Sequence, residues 1–331
     1  MKPLKYTILI CALCIGLFIL LPKHESHSWG FYGHKRINRM AVFTLPPEMV
    51  TFYKQHIEFI TNHAVDPDKR RYGVEGEAPR HYIDIDHYGE HAFDSVPKYW
   101  KQAIAKYTED TLMAYGIVPW QIEKHYYKLL NAFKDENVDR ILQYSTEIGH
   151  YIGDAHVPLH TTENYNGQLT GQRGIHGFWE SRIPETKAED YDYFVGRAQY
   201  IESPIKTAWS IIYASHLAVD SVLKFEALLN SNFPSDQKYA YENRGNVMQK
   251  VYSADYTNRY DLMIKGQVER RMRESIIMVG SMWYTAWVNA GKPNLEKLGK
   301  QDLSDSLKNV LAKDEALYLE QKNKSAKGHE D

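Results

Sequence analysis

The sequence predicts an all-α fold, a single compact multi-helix domain, on three observations. Apolar residues recur at three- and four-residue spacing through the longest segments, the signature of helices with one buried face. Prolines and glycines stand where several of those segments begin or end. No strand-rich block interrupts them, and neither an internal repeat nor a linker divides the chain.

The first stretch is set apart from that domain. Met1-Lys2-Pro3-Leu4-Lys5 precedes an almost wholly apolar run from Tyr6 to Leu21, and Ser26 and Ser28 lie just before Trp29. A basic start, an apolar middle and small residues at the end describe a secretory signal peptide over residues 1–28. The run is short for a membrane span, which takes about 20 residues; an uncleaved anchor through residues 6–21 is the alternative. Both cysteines, Cys11 and Cys14, fall in this leader. The exported chain, periplasmic or secreted, is therefore expected to have no disulfide and no thiolate metal ligand.

The mature domain is expected to run over residues 29–300. A basic helical segment, Lys35 to Val42, stops at Pro46-Pro47, and Glu48 to Thr61 reads as the next helix. From His63 to Gly89 the pattern is loop-like. A helix is expected over Lys98 to Tyr115, ended by Gly116, and another from Pro119 to about Lys134, since proline suits a first helical turn. Val138 to Ala155 follows, with Ile141, Ile148 and Ile152 on one stripe. Ser203-Pro204 starts a helix reaching about Leu229, where His216 lies on the apolar stripe and reads as structural. Gln267 to Ala290 carries Met272, Ile276, Val279 and Trp283 on one face. Residues 301–331 form a charged tail that allows a short helix from Ser304 and then looks disordered.

Composition narrows the function only a little. A formal charge of −2 lacks the basic footprint of a dedicated duplex binder. It does not exclude a nuclease that works through metals. The 25 tyrosines suit a large core or a substrate cleft.

The informative stretch runs from His150 to Glu180, H-Y-I-G-D-A-H-V-P-L-H followed by a polar loop and H-G-F-W-E. His150 and Asp154 lie four residues apart in a helical segment, so both project from one face. His160 follows Pro158, and His176 and Glu180 repeat the four-residue spacing. One such pair is most simply a polar helix face; two pairs with His160 between them form a donor set suited to zinc. His156, within the same block, reads as structural or as a residue supporting the ligands.

These residues, with Trp29-Gly-Phe-Tyr-Gly-His34, Asp66 and His81, resemble the superfamily of zinc-dependent phospholipases C and single-strand-specific zinc nucleases, from Trp29 to about Ala290. The resemblance implies an all-helical domain around a trinuclear zinc cleft. By position, Asp66, His81, His150 and Asp154 would hold one zinc and His160, His176 and Glu180 a second. Trp29, His34 and a bridging Asp154 would hold the third. An α-amine titrates near 7.7–8.0 in model compounds, so a Trp29 freed by signal cleavage would ligate readily.

Such a centre implies phosphodiester hydrolysis by a metal-activated water. Asp66 would orient that water or take its proton, and Lys69, with Arg70 behind it, would offset phosphoryl charge. Glu180 matches the phospholipases, where the nucleases usually carry Asp. The short spacing from Trp29 to His34 matches the nucleases. The sequence thus favours a phospholipase C-like phosphodiesterase on phospholipid. The alternative is a zinc nuclease on single-stranded RNA or DNA, with Tyr82 and Trp179 as base-stacking candidates. A non-catalytic zinc-stabilised surface protein is the third reading. No obligate protein partner is implied, and a monomer is expected.

Overall fold

The computed structural model describes residues 30–244, 247–299 and 301–321. The proposed leader and Trp29 lie outside the described residues. The architecture is all-α, with one two-stranded hairpin among the described residues.

Helix α1 (Gly30–Ala41) leads to α2 (Pro47–Gln55) and α3 (Ile57–Asn62). The single helix expected from Glu48 to Thr61 is broken at His56. The segment expected as loop contains α4 (Asp66–Arg70), a turn and a half opened by Pro67. The helix expected over Lys98 to Tyr115 is also two, α5 (Trp100–Tyr107) and α6 (Glu109–Tyr115). Thr108 between them has φ 68°, a left-handed conformation that no α-helix continues through, and its hydroxyl caps α6 by accepting from Thr111 N–H.

Helices α7 (Val118–Lys134) and α8 (Val138–Ala155) form the central antiparallel pair. Asn137 caps α8 by accepting from the Arg140 N–H at 3.0 Å. Most of α8 is buried, so this helix is the core's axis and not a surface stripe. Helices α9 (Pro204–Asn232) and α11 (Gln267–Asn289) pack around it. Trp283 stacks on Tyr53 at 4.9 Å and donates its indole N–H to Ser145 O of α8.

Between α9 and α11 lie two elements the sequence reading did not separate: the antiparallel hairpin β1 (Tyr239–Arg244) and β2 (Val247–Tyr252), and α10 (Ala254–Met263). They close a second apolar cluster of Phe178, Trp179, Val222, Tyr256 and Tyr260. Helix α12 (Asp305–Gln321) lies along α4, with Leu307 buried and a half-buried stripe that includes Leu311, Asp314, Glu315, Leu317 and Tyr318. Among the described residues no helix is long and apolar enough to cross a membrane.

Candidate metal centre

The site is built on α8. His150 and Asp154, one turn apart, both face α1, and two glycines of α8 allow α1 to come close. A Cβ on Gly149 would lie 2.0 Å from the Asn38 side chain, and one on Gly153 would lie 2.9 Å from the His34 ring. Without side chains at those two positions, His34 stacks on His150 with ring centres 3.9 Å apart. Its Nε2 then stands 3.1 Å from Asp154 Oδ1.

His81 closes the group from the loop after α4. Its Nδ1 is 2.9 Å from Asp154 Oδ2 and 3.0 Å from His150 Nε2, which is itself 3.2 Å from Asp154 Oδ2. The second group stands on the turn after α8. His160 Nε2 and His176 Nε2 lie 3.3 and 3.2 Å from Glu180 Oε2. Glu180 sits in a wide π-helical turn, Gly177–Arg182, whose last residue is anchored to the hairpin. Arg182 forks onto Glu242 at 2.8 and 2.5 Å and donates to Tyr252 O at 2.9 Å.

Backbone carbonyls set the orientation of two rings. Ala64 O lies 2.9 Å from His150 Nδ1, and His81 O lies 2.7 Å from His160 Nδ1. A carbonyl only accepts, so each Nδ1 carries the proton and each Nε2 is turned to the site as a donor of its lone pair.

The donor set fits zinc. Tetrahedral zinc with bonds of about 2.0–2.2 Å places neighbouring ligand atoms about 3.3 Å apart. The buried nitrogens and carboxylate oxygens described above converge at that spacing. His34, His150 and Asp154 form one candidate group, Asp68, His81 and His150 a second, and His160, His176 and Glu180 a third.

Electrostatics agree with a site built for cations. Burial works to raise the Asp154 carboxyl, yet His150 and His34 beside it hold it well below the usual range. Glu180 is likewise kept low against burial by His176 and His160. Burial would lower His160, but Glu180 and Asp154 raise it to about 9. A cation placed among these groups would take over the role of those protons.

One expected ligand is corrected. Asp66 is turned away from the centre, 2.7 Å from His63 Nδ1 and 3.6 Å from Lys69 Nζ. Asp68 faces the centre in its place, 3.6 Å from both His81 Nδ1 and His150 Nε2. The reason is helical: two residues along α4 turn the side chain by about 200°, so Asp66 and Asp68 point to opposite sides. The acid-proline-acid pattern at 66–68 was the signal available for it.

The other expected residues divide clearly. Lys69 Nζ bonds Glu315 of α12 at 2.6 Å. Arg70 is enclosed between Glu77, Glu147 at 3.0 Å and Asp314, so it does not stand behind Lys69 toward a substrate. Tyr82 is buried, and its phenol is pushed up to about 12 by burial and Asp84. Trp179 is buried too, with its N–H on Gln267 at 3.1 Å. Neither offers an open ring face for stacking.

His156 ends α8 with Nδ1–H on Ile152 O at 2.7 Å, and burial and the Arg271 charge lower its pKa to about 3. His216 bonds Thr161 O at 2.9 Å. Glu77, unremarked in the sequence, lies 3.6 Å from His81 Nε2 and accepts from Tyr151 at 2.5 Å and Arg80 at 2.6 Å.

A search of curated proteins finds no match to the chain. The profile of the S1/P1 nuclease family matches residues 29–271, which takes in every element that carries a donor described above. The chain belongs to the S1/P1 nuclease family, within the superfamily of zinc-dependent nucleases and phospholipases C, and is a hydrolase of phosphodiester bonds.

Proposed function

We propose that this protein is a zinc nuclease acting on single-stranded RNA or DNA, exported and matured by cleavage before Trp29. The observation that carries the reading is the convergence of buried imidazole and carboxylate donors at zinc spacing in a chain of this family. The phospholipase C-like reading favoured by Glu180 is set aside, because the family profile is that of the nucleases.

In this reading His81, His150, Asp154 and Asp68 hold one ion, His160, His176 and Glu180 a second, and His34 with Asp154 and the Trp29 amine a third. Bound zinc would supply Lewis acidity toward the phosphate and lower the pKa of water. Asp154 is suited to bridging, since Oδ1 faces His34 while Oδ2 faces His81 and His150. The carbonyls of Ala64 and His81 keep His150 and His160 aimed. Asp68 takes the place given to Asp66 as the carboxylate that could orient a nucleophile.

The test is a parallel assay of the purified mature protein on single-stranded RNA, single-stranded DNA and phosphatidylcholine. Hydrolysis of the single strands that chelation abolishes is the expected result. Turnover of phosphatidylcholine alone would return the assignment to the phospholipases.

A further inference from the structure

Helix α12 lies beyond the residues matched by the family profile, yet it packs against α4, the short helix that carries Asp68. Phe31 follows Gly30, where an added Cβ would be 3.5 Å from Asp68 and 4.0 Å from Glu180. Lys69 follows Asp68. Phe31 and Lys69 are thus one residue along the chain from groups at the centre, and Phe31 and Tyr72 meet the same ring of α12. Into the space they frame α12 places two side chains. The Tyr318 ring stands 6.2 Å from Phe31 and 5.5 Å, edge to face, from Tyr72. The Glu315 carboxylate takes Lys69 Nζ at 2.6 Å, and that ammonium also lies 5.9 Å from the Tyr318 ring centre.

The seat is shaped for this helix. Leu317 lies over Gly73, where a Cβ would come within 2.8 Å of it. An aromatic ring between two aromatic residues, beside an anion on a lysine, has the chemistry of a base attached to a phosphate.

We propose that Phe31, Tyr72 and Lys69 form a nucleotide subsite beside the metal centre, and that α12 covers it, with Tyr318 in the place of a base and Glu315 in the place of a phosphate. This rests on the nuclease reading above. The cover is displaceable: α12 fully buries only Leu307 and half-buries the stripe through Leu317 and Tyr318, and the Glu315 side chain is 41% exposed, so its ion pair is partly screened by water. A substrate that must displace α12 binds with its affinity reduced by the fraction of time the subsite is open.

The test uses the full chain with Tyr318→Ala and Glu315→Gln together. The KM for a single-stranded oligonucleotide should fall by about five- to tenfold while kcat changes little, since only the competing cover is removed. Adding Tyr72→Ala to that variant should raise KM again, because the base then loses the aromatic contact that Tyr72 gives Tyr318. In the unaltered protein, adenosine 5′-monophosphate should speed amide hydrogen exchange across residues 305–321 and leave 204–232 unchanged. Cleavage by native protein and double variant at the same KM, or an exchange rate in 305–321 that the nucleotide does not alter, overturns the cover. No cleavage by either form overturns the nuclease reading itself.

Discussion

The two halves of the metal centre are supported in different ways. His34, His150 and Asp154 stand on long helices, α1 and α8, inside the main core. Behind His81 lies a buried ionic network in which Glu77 and Glu147 flank Arg70, and Glu147 also bonds His125 at 3.0 Å. His160, His176 and Glu180 stand on short turns over the second, smaller apolar cluster. There the support is a clamp, with Arg182 tying the π-helical turn to a hairpin on the surface. The lesson is that the first half is fixed by the fold as a whole, whereas the second depends on a few local contacts. Damage to the first should cost stability as well as metal; damage to the second should cost metal and little stability.

The comparison breaks first at Asp154, whose Oδ1 faces His34 and whose Oδ2 faces His81 and His150. Asp154→Asn should lose activity by more than about a hundredfold, the upper range for disturbing a metal's surroundings, and should retain less zinc than His176→Ala. Kinetics with elemental analysis of both variants check this. Near-normal turnover with full metal in Asp154→Asn would remove Asp154 from the bridge.

The next largest effect concerns the network behind the first half. Burial would raise the Glu147 carboxyl, but Arg70 and the His125 bond bring it down to about 2, from an ordinary 4.5. A carboxyl depressed in the folded state stabilises the protein above its ordinary pKa, and that stabilisation disappears as pH falls from 4.5 through about 2. The contribution at neutral pH is about 3 kcal/mol. Glu147→Gln should therefore lower stability at pH 7 and flatten the acid limb of the unfolding curve. Denaturant titrations between pH 7 and pH 3 measure both. An unchanged acid limb would mean that other carboxylates govern it.

The smallest effect belongs to the clamp. Glu242→Gln should leave the thermal midpoint of the zinc-free protein nearly unchanged, since Glu242 is 43% exposed in its pair with Arg182. Competition with a chelator should show one zinc held roughly tenfold more weakly. A loss spread over all the bound metal would mean that the two halves are not independently supported.

How much of this was legible in the sequence follows the same division. The central helix was readable to its ends, Val138 to Ala155, because Asn137 caps it and Pro158 follows it closely. The donors on α8 and in the turn after it were readable because regular spacing and helical geometry are local. The choice between Asp66 and Asp68 was not, since it depends on which side of one short helical turn meets α8. Thr108 was unreadable as a break because nothing in its type demands a positive φ. The hairpin was missed because Tyr239 to Tyr252 lacks clear alternation of apolar and polar residues. The partner of Lys69 lies 246 residues away on α12, a separation that no local pattern carries.

The central claim, a trinuclear zinc centre completed by the processed amino terminus, is tested most directly by one measurement. Protein purified without chelator, with Trp29 shown by mass spectrometry to be its first residue, should contain close to three zinc ions per chain. A reproducible content of two or fewer would contradict it.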